Sequence, residues 1–303
     1  MITRDFFLHC TWLHTRLGLN NRSISILLLA GLLLIVQGLL TQHAFAASEL
    51  MVSPTRVVLE GRTRSAIVTL ANTGDTTGRY RVTFIQRQMT ESGKLAEVKE
   101  GTPGMYVDDL VRFSPREVTL PPGQSQVVRL LLRKKSGLED GEYRSHMLFQ
   151  SLPDPNASSI QTLTDKSGDT LQVQLIPVVG ISIPVIVRQG SLQATGSLGN
   201  IQLQPAKDSK HPAQLDLTLK REGDRSLYGD FRVMFTPDSG KPVMVAQANG
   251  LALYTPNTQR KVSLTLQAPA GVQLKRGELY VTYLESGQDA GSGLIAEGRL
   301  RLP

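Results

Sequence analysis

Residues whose types and spacing could do chemistry are few in this 303-residue chain, and they are scattered. Beyond residue 46 there is no cysteine, and the only histidines are His146 and His211. Two isolated histidines without a cysteine do not supply the ligand spacing of a zinc site, so no metal is expected. His146 lies beside Met147 and Phe149 on a run whose residues alternate, as a strand histidine would. A nucleophilic triad around it needs a positioned serine and aspartate. No Gly-x-Ser-x-Gly elbow, phosphate-binding loop or dinucleotide fingerprint is present to supply one. Asp108-Asp109 and Glu139-Asp140 fall in polar, turn-like stretches, where carboxylates are solvated rather than paired for glycoside hydrolysis. The residues give no positive sign of an enzyme and call for no cofactor.

What remains is the chain's own backbone, and one stretch stands out. Residues 171–188 read LQVQLIPVVGISIPVIVR, with Leu171, Val173, Leu175, Val179, Ile181, Ile183, Val185 and Val187 at alternate positions. That is strand periodicity over a length well beyond the usual run of about 5–6 residues. Pro177 and Pro184 cannot donate to a ladder, which confines the strand to a sheet edge or a bulge. Soluble proteins avoid long, uncharged, apolar edges because such edges pair with other chains. Two readings follow: a sandwich strand bulged at Pro177, or an edge kept open to lend a strand to a partner.

The chain is long enough for two domains, each with its own core. Arg16 and Arg22 precede an apolar run from Ile24 to Leu40, and Ala44-Phe45-Ala46 ends in small residues. Residues 1–46 are therefore expected to be a signal peptide cleaved after Ala46. A retained anchor is the other reading of a run close to the spanning limit. Removing the segment takes three basic and one acidic residue from totals of 33 and 26, leaving an excess of about +5. The basic residues are dispersed without aromatic interleaving, so no nucleic acid is expected as a partner. An exported chain without disulfides has to be stable through its cores alone.

Nearly every apolar segment past Val52 alternates with period 2. About seven strands precede Gly190, with turns at Asn72-Thr73-Gly74 and Pro121-Pro122-Gly123; that count and spacing are immunoglobulin-like. The pattern restarts in Leu215–Leu219, Phe231–Phe235, Val262–Leu266 and Leu279–Tyr283. The expected fold is all-β, with two immunoglobulin-like β-sandwich domains over residues 47–189 and 190–303. No flexible linker separates them near Gly190, so a fixed angle is expected, and the cleft between them is the natural place for a site.

Several stretches resemble PapD-like periplasmic chaperones of the chaperone–usher pilus pathway. Ser53-Pro54-Thr55-Arg56-Val57-Val58-Leu59-Glu60-Gly61 is similar to their opening strand, and Asn72-Thr73-Gly74 to the turn after the second. Phe113-Ser114-Pro115 through Leu130 is similar to their proline-glycine turn and the strand after it. Glu142-Tyr143-Arg144 through Pro153 is similar to the penultimate strand of the first domain, and residues 171–175 to the last. The order and spacing of these motifs over residues 52–188 carry the resemblance; the second domain carries it loosely.

The resemblance implies a periplasmic chaperone that holds incomplete pilus or fimbrial subunits by lending them a strand and delivers them to an outer-membrane usher. It implies Val173, Leu175, Val179 and Ile181 as the inserted row, given unbroken alternation. It implies Arg56 as anchor for the subunit's terminal carboxylate. The family's second basic anchor is missing: no Lys or Arg occurs from Ser167 through Val187, and Ser182 stands roughly in its place. Arg188 or Arg112 is the candidate replacement, and the departure indicates a divergent branch. Self-association through the free edge is a further expectation. The competing account is an exported structural or adhesive protein of two immunoglobulin-like domains, whose long strand is simply core.

Overall fold

The computed structural model describes residues 49–99, 101–153, 160–164, 170–174, 178–208, 211–286 and 293–303. The expected signal segment, residues 1–46, lies outside them. Among the described residues there is no helix, and none that could cross a membrane. The fold is all-β, as the alternation requires.

The first sandwich opens with β1 (Leu50–Ser53), β2 (Val57–Leu59), β3 (Ser65–Asn72) and β4 (Gly78–Ile85). A small hairpin, β5 (Arg87–Met89) and β6 (Leu95–Glu97), follows. Next come β7 (Val111–Ser114), β8 (Glu117–Leu120), β9 (Ser125–Leu132) and β10 (Gly141–Ser151). A second hairpin, β11 (Ile160–Thr164) with β12 (Thr170–Gln174), precedes β13 (Gly180–Gln189). One sheet runs β1-β3-β9-β7 and the facing one β2-β13-β10-β4-β8. Their inner faces enclose a core that includes Leu59, Leu70, Val82, Leu130, Met147, Phe149 and Val185. Each large side chain buried in this way contributes roughly 1.5–3 kcal/mol.

Two expected turns close as the residue types dictate. Asn72, itself buried, donates through its side chain to Leu120 O at 2.9 Å and Thr76 O at 2.7 Å, while its own carbonyl accepts from Gly123 N at 2.9 Å. Gly123 adopts φ 69°, a left-handed conformation that glycine takes without a steric penalty.

The second sandwich holds β14 (Ala194–Gln204), β15 (Gln214–Gly223), β16 (Leu227–Pro237), β17 (Val243–Leu253), β18 (Gln259–Thr265), β19 (Gly277–Glu285) and β20 (Leu294–Leu302). Its sheets run β14-β15-β18 and β17-β16-β19-β20. Leu215, Leu219, Phe231, Phe235, Leu279 and Tyr283 fill the core between them, and the Phe231 and Tyr283 rings stack at 4.5 Å.

Among the described residues, the stretch 171–188 falls in two strands. Of these, β12 pairs only with β11, while β13 joins the five-stranded sheet. Pro177 belongs to the interval between them, at residues 175–177, outside the described residues. β13 pairs antiparallel with β10 along its whole length, from Gly180 opposite Gln150 to Gln189 opposite Gly141. On its other side β2 pairs with it in parallel, and only at Val185, Ile186 and Val187. Among the described residues, 180–184 therefore have a neighbour on one side only. Pro184 sits in that one-sided half, where a missing N–H is tolerated.

Candidate functional site

The two sandwiches meet through a small apolar cluster. Met89 and Ile186, flanked by Val58 and Leu95, pack against Ala252 and Tyr254, flanked by Tyr228. The β5–β6 hairpin adds backbone contacts: Asn257 Nδ2 donates to Met89 O at 2.7 Å, and Lys261 N to Glu91 O at 2.7 Å.

The polar part of the junction is built on β10. Tyr143, Met147 and Phe149 turn toward the first core, so Glu142, Arg144 and His146 project from the opposite face, at i, i+2 and i+4. All three are buried. Glu142 accepts from Arg188 Nε at 3.0 Å, from Ser226 N at 3.2 Å, from Ser226 Oγ and from Thr255 Oγ1 at 3.4 Å. A buried carboxylate with this many donors is fully satisfied, and it ties β10 to the second sandwich. Arg188 completes the arrangement through Nη1, at 2.8 Å from Glu60.

Arg56 is different. It follows Ser53–Pro54, immediately precedes β2 and lines the cleft between the sandwiches. Its Nη1 donates to the Tyr254 hydroxyl at 3.3 Å, and its guanidinium lies 4.4 Å from the Tyr228 ring centroid and 5.6 Å from that of Tyr254. Among the described residues no carboxylate pairs with it, whereas the other cations lining the cleft are paired: Arg188 with Glu60 and Glu142, Arg225 with Glu285 at 3.7 Å. The cleft encloses about 620 Å³ and is lined by Arg56, Glu60, Arg188, Arg225, Tyr228 and Glu285 among others. Chemically, Arg56 offers a planar donor fork, held by aromatic faces, to an incoming anion.

Arg144 also lies against Tyr254, with its guanidinium 4.1 Å from the ring centroid. Burial holds Arg144 below the ordinary arginine range and raises the Tyr254 hydroxyl; the neighbouring Arg56 and Arg144 partly offset the latter shift. His146 stands edge-on to Tyr254 at 6.4 Å. Burial, reinforced by Arg144 and Arg87, lowers its pKa to about 3, so it is neutral at ordinary pH.

Of the residues singled out from the sequence, Arg56 and Arg188 come together in one cleft. Arg112 does not: it is exposed on β7 and lines a separate depression with Phe84, Phe113 and Arg116. Val179 is 69 % exposed just before β13, and Ile181 packs partly against the first core. Val173 lies on β12, in the hairpin, and Leu175 lies outside the described residues. Val173 thus lies on β12 and Ile181 on β13, with Val179 just ahead of the latter. The stripe Glu142, Arg144, His146 was missed. Its signal was present: three ionisable residues at alternate positions of an otherwise apolar strand mark a face buried against something polar.

No protein-family profile matches the chain, and no curated protein matches it. Solved structures do. One is a chain of the CsuC–CsuE chaperone–tip adhesion subunit pre-assembly complex from archaic Csu pili of Acinetobacter baumannii. It is 14% identical, with 84% of this chain and 98% of that one covered and a TM-score of 0.41. The CupB2 chaperone of Pseudomonas aeruginosa is 11% identical over 84% of this chain and 100% of its own, with a TM-score of 0.39. A chain of the Salmonella enterica SafA pilin–SafB chaperone complex is 13% identical over 86% and 99%, also at 0.39. All three matches extend over most of this chain's length at low identity.

Proposed function

We propose that this protein is a periplasmic chaperone for pilus or fimbrial subunits, acting by strand donation without catalysis and passing its client to an outer-membrane usher. The observation that carries the reading is the uneven pairing of β13. Its second half is covered by β2, while among the described residues 180–184 present an open backbone edge preceded by the exposed Val178 and Val179. An edge of this kind adds a partner's strand through main-chain hydrogen bonds, and alternate side chains set the register. Val173, Leu175, Val179 and Ile181 are proposed as the side chains offered to the client, in two groups on either side of Pro177. Arg56, the cleft arginine that no carboxylate pairs among the described residues, is proposed as the anchor for the client's terminal carboxylate, with Arg188 shaping the cleft rather than binding. The proposed domain division keeps residues 1–46 as signal, 47–189 as the strand-lending domain and 190–303 as its companion.

Co-expression with pilin subunits encoded in the same genome tests the reading. Wild type is expected to keep a subunit soluble. Val179→Asp, at an exposed position, is expected to lose it while its circular dichroism stays unchanged.

One observation favours a second reading, the structural or adhesive protein: Ile183, Val185 and Val187 are buried in the first core, as in an ordinary sandwich strand. On that reading no subunit is retained, and Val179→Asp behaves as wild type.

A further inference from the structure

A second cavity, of about 540 Å³, opens on the other side of the junction. It is separated from the Arg56 cleft by the Glu142–Ser226 hydrogen bond, since Glu142 lines this cavity and Ser226 lines the other. Its walls are largely apolar: Val98, Pro103, Met105 and Tyr106 from the loop after β6, and Pro256 from the second sandwich. Set among them are two arginines, Arg87 and Arg144. Arg144 is only 8 % exposed, and among the described residues its Nη1 has no hydrogen-bond partner; the buried Nε of Arg87 has none either. One bond accounts for another donor: Arg144 Nη2 donates to Arg87 O at 3.2 Å.

Buried guanidinium donors left unpaired are costly, and a protein retains them where something else completes them. Among the described residues, the carboxylates nearby do not. Glu142 is already saturated by Arg188, Ser226 and Thr255. Glu97 reaches Arg87 only through Nη2, at 3.8 Å. Asp140 and Asp224 line the cavity from exposed positions. These acids disfavour a dianion, while the two arginines favour a single negative charge and the apolar walls a hydrocarbon body.

We propose that this cavity is a binding site for a small monocarboxylate with a short aliphatic chain, its carboxylate held by Arg144 and Arg87 and its body by Met105, Tyr106 and Pro256. The volume suits a small ligand. The site is independent of strand donation and uses none of the residues assigned to it.

Calorimetric titration of the purified protein with hexanoate, and with hexanamide as its neutral counterpart, tests this. Hexanoate is expected to bind at least about tenfold more tightly than hexanamide, the margin of one charge-assisted hydrogen bond. Arg144→Gln and Arg87→Gln should each weaken hexanoate by about tenfold. Met105→Trp, at an exposed position, should fill the cavity and abolish binding with the fold intact by circular dichroism. Because Arg87 is only half-buried and Met105 exposed, these two variants keep the test decisive even if Arg144→Gln fails to fold. The proposal is overturned if hexanoate does not bind at millimolar concentration, if hexanamide binds equally well, or if Arg87→Gln and Met105→Trp bind hexanoate as wild type does.

Discussion

Two groups of side chains at the junction between the sandwiches use charge in opposite ways. In one, Glu142 is buried and met by Arg188, Ser226 and Thr255, so that every charge has its counterpart. In the other, Arg56 and Arg144 lie against the ring of Tyr254, with neutral His146 beside it and no carboxylate bonded to either arginine among the described residues. A closed ion-pair cluster fixes geometry and has little capacity left for a ligand. An arginine pair balanced only by aromatic faces and backbone carbonyls keeps capacity for an anion. The first group reads as the lock that holds the sandwiches together, the second as the part that receives something.

Breaking the lock should have the largest effect. Glu142→Ala leaves Arg188 without its buried partner and removes the acceptor for Ser226 and Thr255. A loss of about 3–5 kcal/mol is expected in urea unfolding.

The next effect distinguishes the second group by pH. With its pKa lowered to about 3 in the folded state, His146 stays neutral there while the unfolded chain protonates near pH 6.5. The unfolded state then binds the extra proton, so stability present above pH 6.5 is lost as pH falls toward 3. The expected slope is about 1.4 kcal/mol per pH unit in the middle of that window. His146→Phe should flatten this part of the profile; an unchanged slope would remove His146 from the account.

Arg56→Ala sharpens the contrast from the receiving side. Because no ion pair holds the residue among the described residues, stability should change by no more than about 1 kcal/mol, while affinity for a client ending in a free carboxylate falls by about tenfold or more. The smallest effect is expected away from the junction. Arg81 and Glu117, paired at 3.0 Å and about half exposed, should contribute about 0.2–1 kcal/mol in a double-mutant cycle.

Much of the fold was legible because period-2 alternation and burial coincide. Leu215, Leu217 and Leu219, or Phe231, Val233 and Phe235, are core in the structure and alternate in the sequence. β14 and β17 were not legible. Ala194–Gln204 and Val243–Leu253 are rich in small and polar residues, stand at sheet edges and owe their strand form to their partners. β14 also slips register between Gly199 and Gln202, which hides any alternation. At the site, Arg56 could be found through a resemblance, since its sequence neighbours carry the motif. Glu142, Arg144 and His146 could not be given partners, because Ser226 and Tyr254 lie more than eighty residues away. Within 171–188, alternation alone could not show that β12 would pair with β11.

The central claim is that one half of β13 is kept open for a partner and the other half is not. Hydrogen–deuterium exchange, followed by peptide with and without a co-expressed pilin subunit, addresses it directly. The account predicts slow exchange at Val185, Ile186 and Val187 in both states, and exchange at residues 180–184 that slows only when the subunit is bound. Equal protection of both halves in the free protein, or no change at 180–184 on subunit binding, would contradict it.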